Sequence, residues 1–237
     1  MEQFKIGQKQ FAFRGQADSE WLLQTSLARH FLANHVKDDE WRLRELKMYR
    51  RFRELLFAIY RDMHKDWKPM DILSLMQHHH APTRLLDFTY DSKVAAYFAL
   101  EDSRRDSAIW VVDTDYLEQR RKDLNLPEYW GPTHDPYEIA EKDEQKNYRL
   151  GGTIQLPDKS HERLAAQNGC FLVTGSISQF KSEELVHTKV ILSKELVIES
   201  LQNLEDQGYN RKRLFPNLEK IAKEAKRFSV VGCSTCN

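Results

Sequence analysis

Residues 70–102 change hydrophobic period twice, and this constrains the fold more than any other feature of the chain. Residues 70–79 read as a helix, with Pro69 suited to a first helical position, where its missing N–H is not needed. Pro82 ends that helix, because the residue before a proline avoids helical dihedrals. Residues 83–89, TRLLDFT, then read as extended. On a strand Thr83, Leu85, Asp87 and Thr89 share one face, and Arg84, Leu86 and Phe88 share the other. From about Ser92 to Asp102 the period is helical again, with Asp91 or Ser92 as the cap and Val94, Ala95, Tyr97 and Phe98 toward the core. Helix, strand and helix in immediate succession belong to a mixed fold.

The flanking sequence extends this pattern. QFAFRGQ, residues 10–16, reads as a short strand that reaches Gly15. Residues 38–64 read as a long helix, with Trp41, Tyr49, Phe52, Leu56, Ile59 and Met63 on its apolar face and Arg44, Arg50, Arg51 and Arg61 over much of the remainder. Residues 108–114 form a short apolar run expected as a buried strand, and further strands are expected at 153–156, 169–174 and 186–192. Ser193 caps an expected helix at 194–206 that Gly208 closes. A last helix near Pro216 turns Leu218, Ile221, Ala222, Ala225 and Phe228 inward. Residues 115–150 are polar and carry Pro127, Pro132 and Pro136, which predicts a helical or flexible insertion. The expectation is one α+β domain over 1–237, with a mixed or antiparallel β core flanked by helices.

Composition narrows the function classes. A chain of 237 residues that is 41% hydrophobic and 30% charged can bury a core and is not a disordered segment. Its 36 basic residues balance its 36 acidic ones, so no global field gathers nucleic acid, and any such contact would be a local patch. No apolar run approaches the roughly 20 residues of a membrane helix, and MEQFKIGQKQ lacks an apolar signal core. Three cysteines, Cys170, Cys233 and Cys236, argue against a disulfide scaffold and for a reducing cytoplasm.

Three stretches can carry chemistry. In the first, Arg14 precedes Gly15 at the end of an apolar strand and offers a planar fork of donors for phosphate or carboxylate, or else pairs with a carboxylate such as Asp18. In the second, Asp87 lies among apolar residues and needs partners if buried. Thr89, the helix start near Ser92 or a distant arginine are the candidates, and Asp87 either ties strand to helix or forms a polar wall of a cleft. His78, His79 and His80 point about 100° apart on a helix, which suits a helix end and not a metal site. In the third, Arg163 and Gln167 are spaced to share a face of a short helix at 161–167, and Gly169 releases the chain into CFLVT. Gln167 can donate and accept hydrogen bonds but cannot act as a general base. Cys170 reads as a buried thiol, and the terminal CxxC lacks the second pair that a structural zinc needs.

Taken in order, these stretches resemble the FRG domain, a family named for a Phe-Arg-Gly motif. The resemblance is carried by Phe13-Arg14-Gly15-Gln16 with Trp21, Leu23, Ser26, Leu27 and Arg29, and by Gln77-His78. It continues through Pro82-Thr83-Arg84-Leu85-Leu86-Asp87 with Thr89, and then Ala95, Tyr97, Phe98 and Ala99. Arg163, Ala166-Gln167, Gly169, Phe171, Leu214-Phe215-Pro216 and Leu218 complete it, over about residues 11–222. The chain departs from the pattern at His80, where a glycine is common, at Phe88 for tryptophan and at Thr25 for proline.

The order of parts also looks like an ADP-ribosyltransferase fold, with an arginine on the first strand, Asp91-Ser92-Lys93-Val94-Ala95-Ala96-Tyr97-Phe98-Ala99 as the following helix, and Gln167 near the place of a late catalytic glutamate. This likeness implies NAD⁺ as a substrate, with Arg14, Asp87 and Gln167 in catalytic positions and Arg14, Gly15, Gln16, Thr83, Arg84, Thr89, Tyr97 and Arg163 at the cofactor. No metal is implied. The acceptor would be nucleic acid or protein, as for a bacterial or phage-defence toxin held by an antitoxin or regulatory partner, with no membrane involved. The alternative is a phosphate-binding module for a nucleotide or nucleic acid, built on Arg14, Arg84 and Arg163 without turnover.

Overall fold

The structure, a computed structural model, describes residues 10–60, 67–123, 152–159, 161–174 and 185–216. Six strands form one sheet: β1 (Phe11–Gln16), β2 (Leu85–Thr89), β3 (Ser107–Asp113), β4 (Gly152–Gln155), β5 (Gly169–Thr174) and β6 (Thr188–Leu192). Their order across the sheet is β4-β5-β2-β1-β3-β6, and every neighbouring pair is antiparallel. The helices are α1 (Ser26–Ala33), α2 (Trp41–Ile59), α3 (Pro69–His78), α4 (Ser92–Leu100), α5 (Thr114–Asp123), α6 (Glu162–Ala166), α7 (Val197–Asp206) and α8 (Arg211–Leu214). The domain is α+β, as its alternating periods require.

The pairing of the strands is uneven, and the site follows from that. β1 pairs with β3 along its whole length, from Phe11 opposite Asp113 to Gln16 opposite Ala108. β2 pairs equally fully with β5, from Leu85 opposite Val173 to Thr89 opposite Gly169. Between them, β1 and β2 pair at Phe13 and Thr89 alone among the described residues. The sheet is therefore split into β4-β5-β2 and β1-β3-β6, joined at one point. Arg14 crosses the split, its Nη1 donating to the carbonyl of Asp87 at 2.8 Å. A side chain thus satisfies a strand carbonyl that the neighbouring strand leaves unpaired.

Both faces of the β2–β5 half are packed. Leu85, Phe171 and Val173 meet Leu46 and Tyr49 of α2 and Ile72, Leu73 and Met76 of α3. Leu86, Phe88, Cys170 and Leu172 turn the other way, into a cluster with Ala12, Trp110, Val112 and Ile154. Each of these large side chains contributes about 1.5–3 kcal/mol by leaving water. Over β1 lies α4, and Gly15 decides how closely. A Cβ at Gly15 would stand 2.0 Å from the Ala95 carbonyl oxygen and 2.6 Å from the Ala99 nitrogen, so only glycine lets the strand lie against the helix backbone. The glycine serves this packing, although it also borders the cleft described below.

Several boundaries differ from expectation. Helix α1 lay in sequence for which no element was expected. The long helix begins at Trp41, after a 3-10 turn at Asp38–Glu40, and its described part ends at Ile59, which is 72% exposed rather than inward. The helix expected from Ser92 ends at Leu100, and Asp91 is its cap, accepting from the Lys93 N–H at 2.9 Å. The start of the expected insertion is α5, and residues 124–150 lie outside the described residues, as do the final helix expected beyond Pro216 and the pair Cys233 and Cys236.

Candidate functional site

Two cavities open at the split and share a wall of Arg14, Gln24, Arg29, Asp87, Arg163 and Gln167. The smaller, about 260 Å³, is polar, with Gln77, His78, His80 and His161 added to that wall. The larger, about 820 Å³, runs along β1 and α4 and adds Phe13, Trp21, Leu22, Val94 and Phe98. Trp21 and Leu22 are largely exposed and stand at its edge. Three distant segments therefore build one cleft, and Arg14, Asp87 and Gln167 meet in it.

The charges on the shared wall are unequal. The wall carries three guanidinium groups, of Arg14, Arg29 and Arg163, and one carboxylate, of Asp87, while Glu20, Glu101 and Asp102 line the larger cavity alone. Burial lowers the pKa of the Arg14 guanidinium, Asp87 raises it and Arg29 lowers it again. Four buried side-chain polar atoms lack a hydrogen-bond partner among the described residues, and three of them, Arg14 Nε, Ser74 Oγ and His78 Nδ1, belong to residues lining the smaller cavity. Unpartnered buried polar atoms are rare in folded proteins, and their concentration here marks the site. Arg29 is oriented by a bond from Nη1 to the Gln24 carbonyl at 2.7 Å. Arg163 is held over the ring of Phe215 at 4.8 Å, and Phe215 meets Phe98 edge-on at 5.8 Å, which gives the Leu214-Phe215-Pro216 stretch a place behind the cleft.

Asp87 finds a partner that sequence reasoning did not name. Gln77 Nε2 donates to its Oδ1 at 2.8 Å, while the Thr83 hydroxyl donates to Gln77 Oε1. Thr89 is tied elsewhere: its hydroxyl donates to the Gln167 carbonyl at 2.7 Å and accepts from the Asp91 N–H at 2.9 Å. The Gln167 amide nitrogen is committed to the Leu214 carbonyl at 3.0 Å. His161 caps α6, its Nδ1 accepting from the Leu164 N–H at 3.2 Å, and its ring lies 4.2 Å from that of His78. Burial, then His78 and Arg163, hold the His161 imidazole down at about 4. Burial and the neighbouring His79, Arg163 and His80 lower His78 as well. Both rings are therefore neutral at pH 7.

Other expected positions fall outside the cleft. Arg84 is 6% exposed and pairs with Glu45 of α2, Nε to Oε1 at 2.7 Å and Nη2 to Oε2, with neither cavity beside it. It fastens α2 to β2 and leaves no phosphate site, and Arg29 takes the third place among the arginines. Tyr97 is 2% exposed and packs with Val94, Leu100, Leu204 and Leu214, so its ring is core and not a ligand wall. Burial and the bond to Glu101 push its phenol up to about 12. Thr83 is buried and acts on the cleft only through Gln77. Gln16 borders the larger cavity with its amide spent on Trp110 Nε1 and the Leu22 carbonyl. Gln77, Arg29 and Trp21 belonged to the family-like pattern without being read as site residues. His161 had no such signal, because histidine is not among the usual caps. Among the described residues no group of three or more His, Cys, Asp or Glu is placed to hold a metal ion, and no helix is long and apolar enough to cross a membrane.

The FRG domain family model matches residues 9–108, and the chain carries an FRG domain over that stretch. The match takes in β1, α1 to α4 and the start of β3, and with them Arg14, Arg29, Gln77 and Asp87. It is shorter than the resemblance drawn from the motifs, and Arg163, Gln167 and Phe215 lie beyond it. No curated protein matches the chain. No solved structure matches it.

Proposed function

We propose that the cleft binds NAD⁺ and that the protein transfers its ADP-ribosyl group to an acceptor. The observation that carries this is the shared wall, where Arg14, Arg29, Arg163 and Asp87 stand between a polar and a more apolar cavity, the latter also lined by Glu20, Glu101 and Asp102. The arginines suit a pyrophosphate, which takes charge-assisted forks of donors. Phe13, Trp21 and Phe98 suit a planar base in the larger cavity. The larger cavity alone, about 820 Å³, falls in the range of cofactor-sized ligands.

The chemistry asked of the residues is limited. The bond between nicotinamide and ribose breaks, nicotinamide leaves with the electron pair, and the ribose carbon becomes cationic. A nearby carboxylate stabilises that cation, and Asp87 is the carboxylate on the shared wall. Gln167 carries no charge, and its committed amide suits holding α8 against the cleft. The acceptor nucleophile then attacks the ribose carbon and gives up its proton to solvent.

The test is nicotinamide release from NAD⁺ by the purified chain, offered protein and nucleic-acid acceptors. Release should occur and should fall about 10²–10³-fold in Asp87→Ala. Tight NAD⁺ binding without release would favour a phosphate-binding module that performs no transfer.

A further inference from the structure

We infer that Gln77 and Thr83 are positioning residues that hold the Asp87 carboxylate in its working orientation, an inference that rests on the transfer reaction proposed above. The chain of bonds has a fixed direction. Thr83 is gripped by the start of α1: its N–H donates to Ser26 Oγ at 3.0 Å, and its carbonyl accepts from the Ser26 hydroxyl at 3.2 Å and the Leu27 N–H at 3.1 Å. The Thr83 hydroxyl accepts from the Leu85 N–H at 3.3 Å, so its own proton is free to go to Gln77 Oε1. The Asp87 carboxylate, which only accepts, settles which end of the Gln77 amide faces which neighbour. The NH₂ end is left toward Asp87, where Nε2 donates to Oδ1 at 2.8 Å, and the reverse orientation would set a carbonyl oxygen against a carboxylate.

The elements explain why the relay is stiff. Gln77 sits in the last turn of α3, whose Ile72, Leu73 and Met76 are core, and Thr83 lies just before β2 with 1% of its surface exposed. Asp87 belongs to β2, paired opposite Phe171. Backbone from α1, α3 and β2 thus fixes one carboxylate oxygen on the cleft wall, as a group that must meet a developing cation requires.

The test pairs kinetics with a signal that needs no turnover. Thr83→Val removes the hydroxyl at constant shape, and Gln77→Met removes the amide at similar length. Both should lower kcat for nicotinamide release by about 10–100-fold with KM for NAD⁺ nearly unchanged, and Thr83→Ser should restore most of the loss. In NMR spectra of the full chain, the Gln77 side-chain amide signal should move in both Asp87→Asn and Thr83→Val. Unchanged kcat in Thr83→Val and Gln77→Met, or failure of serine to restore it, would overturn the inference. If the wild-type protein releases no nicotinamide, the transfer reading fails and the amide signal alone decides the relay: a signal indifferent to Asp87→Asn and Thr83→Val refutes it.

Discussion

His80 adopts left-handed backbone, φ 62°, just past the cap of α3. The Ala81 N–H reaches the Met76 carbonyl at 2.9 Å and the His80 N–H reaches the Gln77 carbonyl at 3.0 Å, the two bonds of a Schellman turn. Glycine meets no Cβ penalty in this conformation, which is the physical reason that the FRG pattern favours it here. His80→Gly should therefore raise the unfolding free energy by about 1 kcal/mol in urea denaturation. A lower value would mean that the imidazole makes contacts worth more than the backbone strain. Arg84 is buried beside α2. Its buried pair with Glu45 is expected to cost about 3–5 kcal/mol if one partner is removed, which suits a residue that holds α2 and not one that meets ligand.

Among the elements, α6 joins stability to pH. His161 is its cap, and the ring ordinarily takes a proton near 6.5 but in the fold only at about 4. Between those values the unfolded chain binds more protons than the folded one, so stability is full above about 6.5 and is lost as the pH falls toward 4. His161→Asn keeps a side-chain cap and removes the titration. Its stability, followed by urea denaturation at several pH values, should fall less steeply than that of the wild type over this window, and parallel curves would contradict the assignment. Elements with a clear period were legible in the sequence: β1, α3, β2, α4, β3, β5, β6 and α7 lie within a few residues of their expected places. Asp91 caps as expected, Ser193 caps a 3-10 turn at Lys194–Leu196 that precedes α7 rather than α7 itself, and Gly208 follows α7 at φ +84°. α1 was missed because it is short and its buried Leu27, Ala28 and Phe31 make only one brief apolar face.

For the whole molecule the decisive feature is the split between β2 and β1, and no local pattern encodes it. Strand order and the single join at Phe13 and Thr89 come from contacts between segments far apart in sequence. Arg14, Asp87 and Arg163 could be picked out because they are polar groups beside apolar runs. The exclusion of Arg84 and Tyr97 could not, since Glu45 and the packing of α7 and α8 on α4 decide them from a distance. Gln77 escaped for a related reason: it lies in the last turn of a helix, and only the fold brings it to Asp87. In the proposed function, arginines gathered at this split hold a pyrophosphate. Calorimetric titration with ADP-ribose, which cannot lose nicotinamide, tests this most directly. The wild type should bind and Arg14→Met should bind about 10–100-fold more weakly, the loss of one charge-assisted contact, while remaining folded by circular dichroism. Equal affinity in the two proteins, or no heat of binding in the wild type, would contradict it.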